Sequence, residues 1–482
     1  MKRLKIVFLI FALFYANTLL FAHSGKARFH VIIDTDCAPD DLRAISLILA
    51  SADFELLAIT TSDGLLSPEE GYKKIKAMLK HFGHEGIPVA YGKKTNKKNA
   101  GCNELCLSVN WGNEENIKIP EKNLAVELLI KEINEEEEPV YLICLGPLTN
   151  IAELLKNKDI HSQIEQILWY QGDIKTGYNL NSDIEAAKSV SDCHTVNKVF
   201  FNTDKIKETL LTNKFLNKIS KLNNPYSDLI FESHKNQGIQ EKIKTKFYRF
   251  WDDLLPLYLI NPELFDENQE NKILYVSIKN KNLKNFETAY LKILDSKHQY
   301  ENKVFDNFPT LPEYYAEDIK PYVKELIKLY GYSEFRSAVI TNEMHGHFGI
   351  YAVVGVKMGI RIRQYFNISL DDVEILSYAG LTTPLSCMND GLQVGTGGTI
   401  GHGLIRVAEQ ENKIPAAKFR FKDREITLIL KDEYWKQIQS DIKKTIDKCG
   451  NLTPEYWEEL RKYAIKYWLE FDRMEIFEFI EK

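Results

Sequence analysis

The sequence predicts an α/β fold for the first part of the chain, and two adjoining segments carry that prediction. Val31 to Ile33 form an apolar run typical of a buried strand. The apolar residues that come next recur at helical spacing, at Leu42, Ile45, Ile48 and Leu49. A strand that turns directly into a helix is the building unit of α/β sheets, and ligands usually bind at such turns.

The segment where this strand meets the helix holds four carboxylates within eight residues. They are Asp34, Asp36, Asp40 and Asp41. Like charges at this density repel one another, so the segment predicts a bound cation. Hard carboxylate oxygens select Ca²⁺ or Mg²⁺, and a crowded cluster favours Ca²⁺ with its higher coordination number.

An Asp-rich loop of this kind has two other common uses. An EF-hand would need Asp or Asn at its fifth position and Gly at its sixth, and these positions hold Ala38 and Pro39, which excludes it. A Mg²⁺-dependent aspartyl phosphotransferase, with Asp34 as nucleophile and Asp36 as acid, also begins with an apolar strand and Asp-x-Asp. That alternative stays open, although it gives Asp40 and Asp41 no role.

Four motifs occur in a fixed order between Phe29 and Phe305. They are the Asp-x-Asp-x-x-x-Asp-Asp segment from Asp34, the strand Tyr141 to Asn150 ending in Gly-Pro-Leu-Thr-Asn, Tyr178-Asn179 with Asp183 to Ala187, and Asp252 with Tyr258 to Pro262. Together they resemble the nucleoside hydrolase family, the inosine-uridine-preferring N-ribohydrolases. The resemblance implies a mostly parallel sheet with flanking helices over residues 28–305. It also implies hydrolysis of the N-glycosidic bond of a ribonucleoside or related N-glycoside.

The resemblance assigns a role to individual residues. The Ca²⁺ ligands would be the side chains of Asp36, Asp41 and Asp252 and the backbone carbonyl of Leu145. Asp36 would also deprotonate the attacking water, while Asp40 and Asn179 would bind ribose hydroxyls. Breaking this bond builds positive charge on the sugar, which carboxylates stabilise.

The chain departs from the family pattern at two sugar-binding positions. Gly177 stands where many members have an acidic residue, and Leu65 follows Gly64 where an Asn is common. Trp251, directly before Asp252, would stack on a purine base, or it would simply pack in the core. These losses leave a second hypothesis open, a metal-stabilised binding protein that does not turn over.

A second domain is predicted after a linker and helix at residues 306–324. A helix is predicted from Tyr322 to Tyr330. The second domain carries His345-Gly346-His347 and then Cys387-x-x-Asp390-x-x-Gln393 with a glycine-rich run after it. These motifs resemble the FmdE family, named for a subunit-like protein of formylmethanofuran dehydrogenase. The resemblance implies a smaller α+β domain at residues 325–482 with a metal- or ligand-binding role.

The second domain offers a candidate Zn²⁺ site, because its His and Cys side chains are the ligands that zinc prefers. The predicted ligands are His345, His347 and Cys387, with Asp390 or water completing the shell. The family's usual Cys-Pro after His-Gly-His is absent, since Gly349 and Ile350 stand there. A polar core network without metal is the alternative.

Composition limits the partners. The 482 residues carry a net charge of −6, which gives no electrostatic case for nucleic acid. The small nucleoside-like substrate that the resemblance implies is compatible with this charge. Met1 to Lys5 are basic, Ile6 to Phe21 are apolar and Ala22 is a suitable cleavage residue. We therefore expect a signal peptide at residues 1–22, export to the periplasm and no stable membrane insertion afterwards. An uncleaved anchor is the alternative, and family analogy suggests a homo-oligomer.

Overall fold

The computed structural model describes residues 27–95, 102–172, 177–201, 209–279, 283–296 and 304–481. The predicted signal peptide at residues 1–22 lies outside the described residues. The described chain divides into two compact units. The first unit comprises residues 27–307 and 364–367, and the second comprises residues 308–363 and 368–481, within the described ranges.

The first unit is built on an eight-stranded sheet with the strand order β3-β2-β1-β4-β5-β6-β8-β7. The strands are β1 Phe29–Thr35, β2 Phe54–Thr61, β3 Val89–Tyr91, β4 Val140–Cys144, β5 Ile164–Tyr170, β6 Lys198–Phe201, β7 Phe265–Glu270 and β8 Ile273–Ile278. Among these described strands, every neighbouring pair is parallel except β7 with β8. This sheet confirms the predicted α/β fold.

Helices connect these strands and cover the sheet. They are α1 Pro39–Ala50, α2 Pro68–Phe82, α3 Asn103–Ser108, α4 Ala125–Glu135, α5 Thr149–Leu154, α6 Tyr178–Ser182, α7 Ile184–Asp192, α8 Asn213–Ile219, α9 Pro225–Ser233, α10 Gln237–Lys244, α11 Leu254–Ile260 and α12 Leu283–Leu294. Short 3₁₀ helices occur at Lys158–Gln163 and Pro262–Leu264. None of the described helices, in either unit, combines the length and apolar character needed to cross a bilayer.

The predicted strand is the central β1, and all of its residues are buried. Because alternate side chains of a strand point to opposite faces, Val31 and Ile33 join one hydrophobic core and Ile32 joins the other. The first core also contains Leu42 and Ile45 of α1. A strand covered on both faces must be apolar throughout, which explains why its sequence shows no polar alternation.

Helix α1 begins at Pro39, so Asp40 and Asp41 occupy its first turn. Proline suits this position because its missing N–H would have no partner there, and its fixed φ is already helical. The positive end of the helix dipole stabilises carboxylates in the first turn. The local sequence therefore both starts the helix and holds two acids at the carboxyl end of β1.

The second unit contains a five-stranded sheet with the order β10-β9-β11-β12-β13. Its strands are β9 Glu374–Ser377, β10 Ile405–Val407, β11 Ala416–Phe421, β12 Arg424–Leu430 and β13 Phe477–Glu481. In this described sheet β9 and β10 pair in parallel, and the other pairs are antiparallel. With its long helices, this smaller sheet confirms the predicted α+β domain.

The helices of the second unit are α13 Val323–His345, α14 Ile350–Phe366, α15 Met388–Thr396, α16 Asp432–Cys449 and α17 Pro454–Glu470. Short 3₁₀ helices lie at Pro312–Tyr314, Lys320–Tyr322 and Leu385–Cys387. The helix predicted from Tyr322 to Tyr330 is present and begins at Val323. Gly331 interrupts α13 with a φ of 83°, a left-handed conformation that glycine adopts without a steric penalty.

Candidate active site

Three carboxylates from distant parts of the chain meet at the carboxyl end of β1. Asp40 and Asp41 lie in the first turn of α1, and Asp252 lies in the loop before α11. One carboxylate oxygen of each lies within 4.8 Å of the others, and all three side chains are buried. The structure therefore places two of the predicted Ca²⁺ ligands, Asp41 and Asp252, beside Asp40, which was predicted to bind the sugar.

Asp36 joins this cluster from the turn between β1 and α1. Its Oδ2 accepts a hydrogen bond of 2.9 Å from the backbone N–H of Leu65, and its carboxylate also hydrogen-bonds Asp41. Burial raises the pKa of Asp36 to about 6, although the bond from Leu65 opposes that rise. Leu65 thus contacts the cluster through its backbone N–H.

Burial and the charges of neighbouring carboxylates raise the pKa values of Asp41 and Asp252. Burial comes first for Asp41, and the charges of Asp36 and Asp40 add to it, so the pKa of Asp41 lies well above its usual range. The pKa of Asp252 is raised in the same way, by burial and then by Asp41 and Asp40. Thr35 Oγ1 donates to Asp41 Oδ2 at 2.5 Å, a neutral contact that brings no positive charge to offset the repulsion.

The donor set fits a hard divalent cation. Among the described residues, Asp252 Oδ1 is buried and has no hydrogen-bond partner. A buried carboxylate oxygen of this kind is costly to leave unpaired, and a cation removes both that cost and the mutual repulsion. All the available ligand atoms are oxygens, which suits Ca²⁺ or Mg²⁺ rather than a soft metal.

Leu145 and Asn179 lie next to each other at the same edge of the sheet. Leu145 directly follows β4, and its backbone N–H donates to Asp34 O at 2.8 Å. Asn179 Nδ2 donates to Leu145 O at 2.6 Å and to Tyr170 O at 3.0 Å. A carbonyl oxygen has two lone pairs, so Leu145 O retains one for a cation. The Oδ1 atom of Asn179 remains as an acceptor.

The structure gives Asp34 a role that the sequence did not reveal. Its Oδ1 accepts hydrogen bonds from Thr60 Oγ1 at 2.6 Å and from Asn150 Nδ2 at 2.8 Å, and burial raises its pKa to about 7. Only 1% of Asp34 is exposed. These two bonds make Asp34 a structural link between β1, β2 and α5, which argues against its use as the nucleophile of the phosphotransferase alternative. The Asn of the Gly-Pro-Leu-Thr-Asn motif was the available signal for this contact.

Two glycines let the chain approach Asp36 closely. A Cβ on Gly64 would lie 2.0 Å from Asp36 Oδ2, and a Cβ on Gly146 would lie 2.8 Å from the Asp36 backbone nitrogen. Both distances are far inside van der Waals contact. The position of the Asp36 carboxylate therefore depends on the absence of a side chain at Gly64.

The other two predicted positions lie on loops of the first unit. Trp251 is half-buried, and its ring centroid lies 5.8 Å from those of Phe247 and Tyr248. Phe247 is 54% exposed, so this pair forms an accessible aromatic wall on the segment that carries Asp252. Gly177 is buried directly before α6, where it offers no side chain to a sugar.

The predicted ligands of the second unit come together only in part. His345 Nδ1 and Asp390 Oδ2 are 2.6 Å apart, and the rings of His345 and His347 are 4.2 Å apart. Cys387 is buried, and burial followed by the charge of Asp390 raises the pKa of its thiol. Within the part of the chain that the structure describes, no three of these four residues place ligand atoms within 4.8 Å of one another.

Family models match both units of the chain. Residues 31–307 match the family described as inosine-uridine preferring nucleoside hydrolase. The chain belongs to this nucleoside hydrolase family. Residues 344–478 match the family described as FmdE, molybdenum formylmethanofuran dehydrogenase operon. These matches confirm the predicted fusion of the two domains and the prediction of a nucleosidase.

Curated relatives carry the same kind of name. The chain is 32% identical to pyrimidine-specific ribonucleoside hydrolase RihA of Photobacterium profundum over 219 residues, which are 42% of this chain and 69% of that protein. It is 29% identical to RihA of Salmonella paratyphi B over 259 residues, 49% of this chain and 80% of that protein.

Solved structures were also matched. A purine-preferring ribonucleoside hydrolase from Gardnerella vaginalis aligns with a TM-score of 0.46 and 20% identity, covering 55% of this chain and 99% of that one. The plant nucleoside hydrolase PpNRh1 aligns with a TM-score of 0.47 and 19% identity, covering 56% of this chain and 99% of that one.

We predict that Gly64→Ala abolishes most nucleosidase activity while the protein stays folded. The added methyl group must displace the Asp36 carboxylate, and a misplacement of about 1 Å costs on the order of 100-fold in rate. The measurement is kcat/KM with circular dichroism as a check on the fold. Gly238→Ala is the matched control, because the close contact of the Cβ there is with the end of the Leu105 side chain, which can move, and Asn236 Oδ1 lies at an ordinary contact distance of 3.4 Å. Equal activity of Gly64→Ala and the wild type would contradict this account.

Proposed function

We propose that the first unit is a calcium-dependent hydrolase that splits a ribonucleoside or related N-glycoside into free base and sugar. Membership in the nucleoside hydrolase family supports the reaction. The observation that carries the proposal of a cation is the buried cluster of Asp40, Asp41 and Asp252, joined by Asp36. Calcium is preferred to magnesium because a crowded carboxylate cluster favours the larger ion with its higher coordination number.

In this proposal Ca²⁺ is held by the side chains of Asp36, Asp41 and Asp252 and by the Leu145 carbonyl. The bound cation would neutralise the carboxylates and acidify a water molecule next to them. Asp36 accepts the proton of the attacking water, and its bond from Leu65 N–H keeps the carboxylate oriented. Because positive charge grows on the sugar as the bond breaks, the neighbouring carboxylates stabilise the transition state.

The sugar and the base are proposed to lie on opposite sides of the scissile bond. Asp40 and the Oδ1 of Asn179 accept hydrogen bonds from ribose hydroxyls, while the half-buried indole of Trp251 stacks on the base. An indole offers the largest stacking surface to a purine, which leads us to propose a purine nucleoside. The names of the curated relatives favour pyrimidines instead, so the test must compare purine with pyrimidine nucleosides.

The test is a panel of purine and pyrimidine nucleosides incubated with the purified full chain. We expect free base to be released, fastest from purines, and we expect chelation to abolish release and Ca²⁺ to restore it more fully than Mg²⁺. Asp36→Asn should lower kcat by about 100-fold to 10,000-fold, because it removes the general base. Asp192→Asn makes the same change at an exposed position and should leave kcat unchanged.

Four results would contradict the proposal. Release that resists chelation would rule out the cation, and wild-type kcat in Asp36→Asn would rule out the assigned base. Tight nucleoside binding without release would favour the alternative of a non-catalytic binding protein. Phosphate release from a phosphomonoester with Mg²⁺ would favour the phosphotransferase, which the hydrogen bonds of Asp34 to Thr60 and Asn150 argue against.

We further propose that the second unit, with boundaries at residues 325–482, binds Zn²⁺ through His345, His347 and Cys387, with Asp390 as a partner. One observation favours a ligand here. The Nε2 atom of His345 is buried and has no hydrogen-bond partner among the described residues, while its Nδ1 contacts Asp390. A carboxylate on one ring nitrogen orients the other toward a metal.

We predict about one Zn²⁺ per chain when the full protein is purified without chelator. Elemental analysis of the purified protein measures it. His347→Ala should lose the metal because it removes one ligand, whereas His194→Ala, at an exposed position of the first unit, should retain it. A wild-type protein free of zinc after dialysis against the metal would show that this cluster is a polar network only.

We also propose that the protein is exported and that residues 1–22 are removed, with the hydrolase domain spanning residues 28–305. The basic and apolar pattern of the N-terminal segment supports export. Expressed in a Gram-negative host, the mature protein should appear in the periplasmic fraction with a mass that lacks those residues. A full-length protein in the membrane fraction would instead support the uncleaved anchor.

A further inference from the structure

A buried ion pair joins helix α1 to the loop that carries Asp252. We propose that Arg43 is a positioning residue of the carboxylate cluster: by binding Asp253 it holds Asp252 against the first turn of α1 and so sets the affinity of the site for Ca²⁺. This inference rests on the proposed function of the cluster as a calcium site. It concerns two residues that neither the sequence motifs nor the family match assigned to a role.

The pair has the geometry of a two-point clamp. Arg43 Nε donates to Asp253 Oδ1 at 2.9 Å, and Arg43 Nη2 donates to Asp253 Oδ2 at 2.5 Å. Both side chains are fully buried. A bidentate bond between a guanidinium and a carboxylate fixes orientation as well as distance, so it restrains the two segments more tightly than a single contact would.

The rest of the Arg43 guanidinium is also bound. Nη2 donates to Arg249 O at 2.9 Å, and Nη1 lies 3.1 Å from His234 Nε2. His234 Nδ1 lies 2.7 Å from Ile230 O, so Nδ1 carries the proton and Nε2 accepts from Arg43. Burial and the charge of Arg43 lower the pKa of His234 to about 3, which keeps the ring neutral. The clamp therefore ties α1 to the end of α9 and to the loop before α11.

Covalent neighbours connect this clamp to the acids. Asp253 is the residue after Asp252, and Arg43 follows Asp40 by about one helical turn. The two halves of the ion pair lie 210 residues apart in the sequence, on the same two segments as the acids they position. Since the carboxylates of Asp40, Asp41 and Asp252 repel one another, a separate attraction must hold their segments together before a cation arrives.

Electrostatics give Arg43 a second effect on the cluster. Its charge opposes the rise in the pKa of Asp40 that burial causes. Tyr248 and Phe250 lie 5.2 and 5.5 Å from the Arg43 guanidinium carbon and exclude water from it. Because water is excluded, the attraction between the two buried charges is strong and the clamp is rigid.

The test measures Ca²⁺ affinity of the metal-free full chain by isothermal titration, without using nucleoside. Arg43→Lys retains the charge but cannot form the fork, and Asp253→Asn retains the shape but loses the charge. Both variants should bind Ca²⁺ about 10-fold to 100-fold more weakly than the wild type, the usual effect of changing groups that orient metal ligands. Circular dichroism and the unfolding temperature establish that each variant is folded under the conditions of the titration.

The matched control breaks a buried ion pair that is unconnected with the cluster. Lys357 Nζ and Glu334 Oε1 of the second unit are 2.6 Å apart and fully buried. Lys357→Met should lower the unfolding temperature while leaving Ca²⁺ affinity at the wild-type value. A loss of affinity in this control equal to that of Arg43→Lys would show that general destabilisation is responsible, which overturns the inference.

The outcomes separate this inference from the proposed reaction. The positioning role is wrong if the Ca²⁺ affinity of both variants lies within about twofold of the wild-type value, which is far less than the effect expected for orienting groups. This holds even if the enzyme releases base. If the wild type binds Ca²⁺ but releases no base, the proposed reaction is wrong. The titration of the variants then still tests the positioning role of Arg43. A wild type that binds no Ca²⁺ overturns both.

Discussion

The first unit depends on one electrostatic constraint, the burial of four carboxylates at the end of its central strand. Asp36, Asp40, Asp41 and Asp252 are each less than one tenth exposed. Moving ionised groups out of water costs several kcal/mol each unless opposite charge or hydrogen bonds compensate. The hydrogen bonds to Asp36 and Asp41 satisfy only part of this requirement. A divalent cation would satisfy the rest, and the same carboxylates would then favour a sugar cation in the reaction.

Several otherwise separate features serve this constraint. The parallel sheet brings the carboxyl ends of β1 and β4 to one edge, and α1 directs the positive end of its dipole at two of the acids. Gly64 leaves room for the Asp36 carboxylate, and the pair of Arg43 and Asp253 brings in the remaining acid from a distant loop. The fold therefore keeps repelling groups together through attractions placed around them.

The sequence predicted the local part of this arrangement well. The strand, the helix and the acids between them are specified by residues close together in the chain, and ordered motifs placed Leu145, Asn179 and Asp252 beside them. The bonds of Asp34 to Thr60 and Asn150 and the clamp of Arg43 on Asp253 were not predictable, because each joins residues that only the tertiary fold makes neighbours. The zinc prediction shows a different limit. The motifs indicated that four side chains lie in one region of the second unit, but they did not give the distances between the ligand atoms.

In the proposed function the acid cluster binds calcium before it hydrolyses the substrate. A crystal structure of the full chain grown with Ca²⁺ tests this most directly. We expect one ion, with oxygens of Asp36, Asp41, Asp252 and the Leu145 carbonyl at about 2.3–2.6 Å from it. Four carboxylates that are fully ordered with no ion among them at millimolar Ca²⁺, or an ion bound without Asp36 and Asp252, would contradict it.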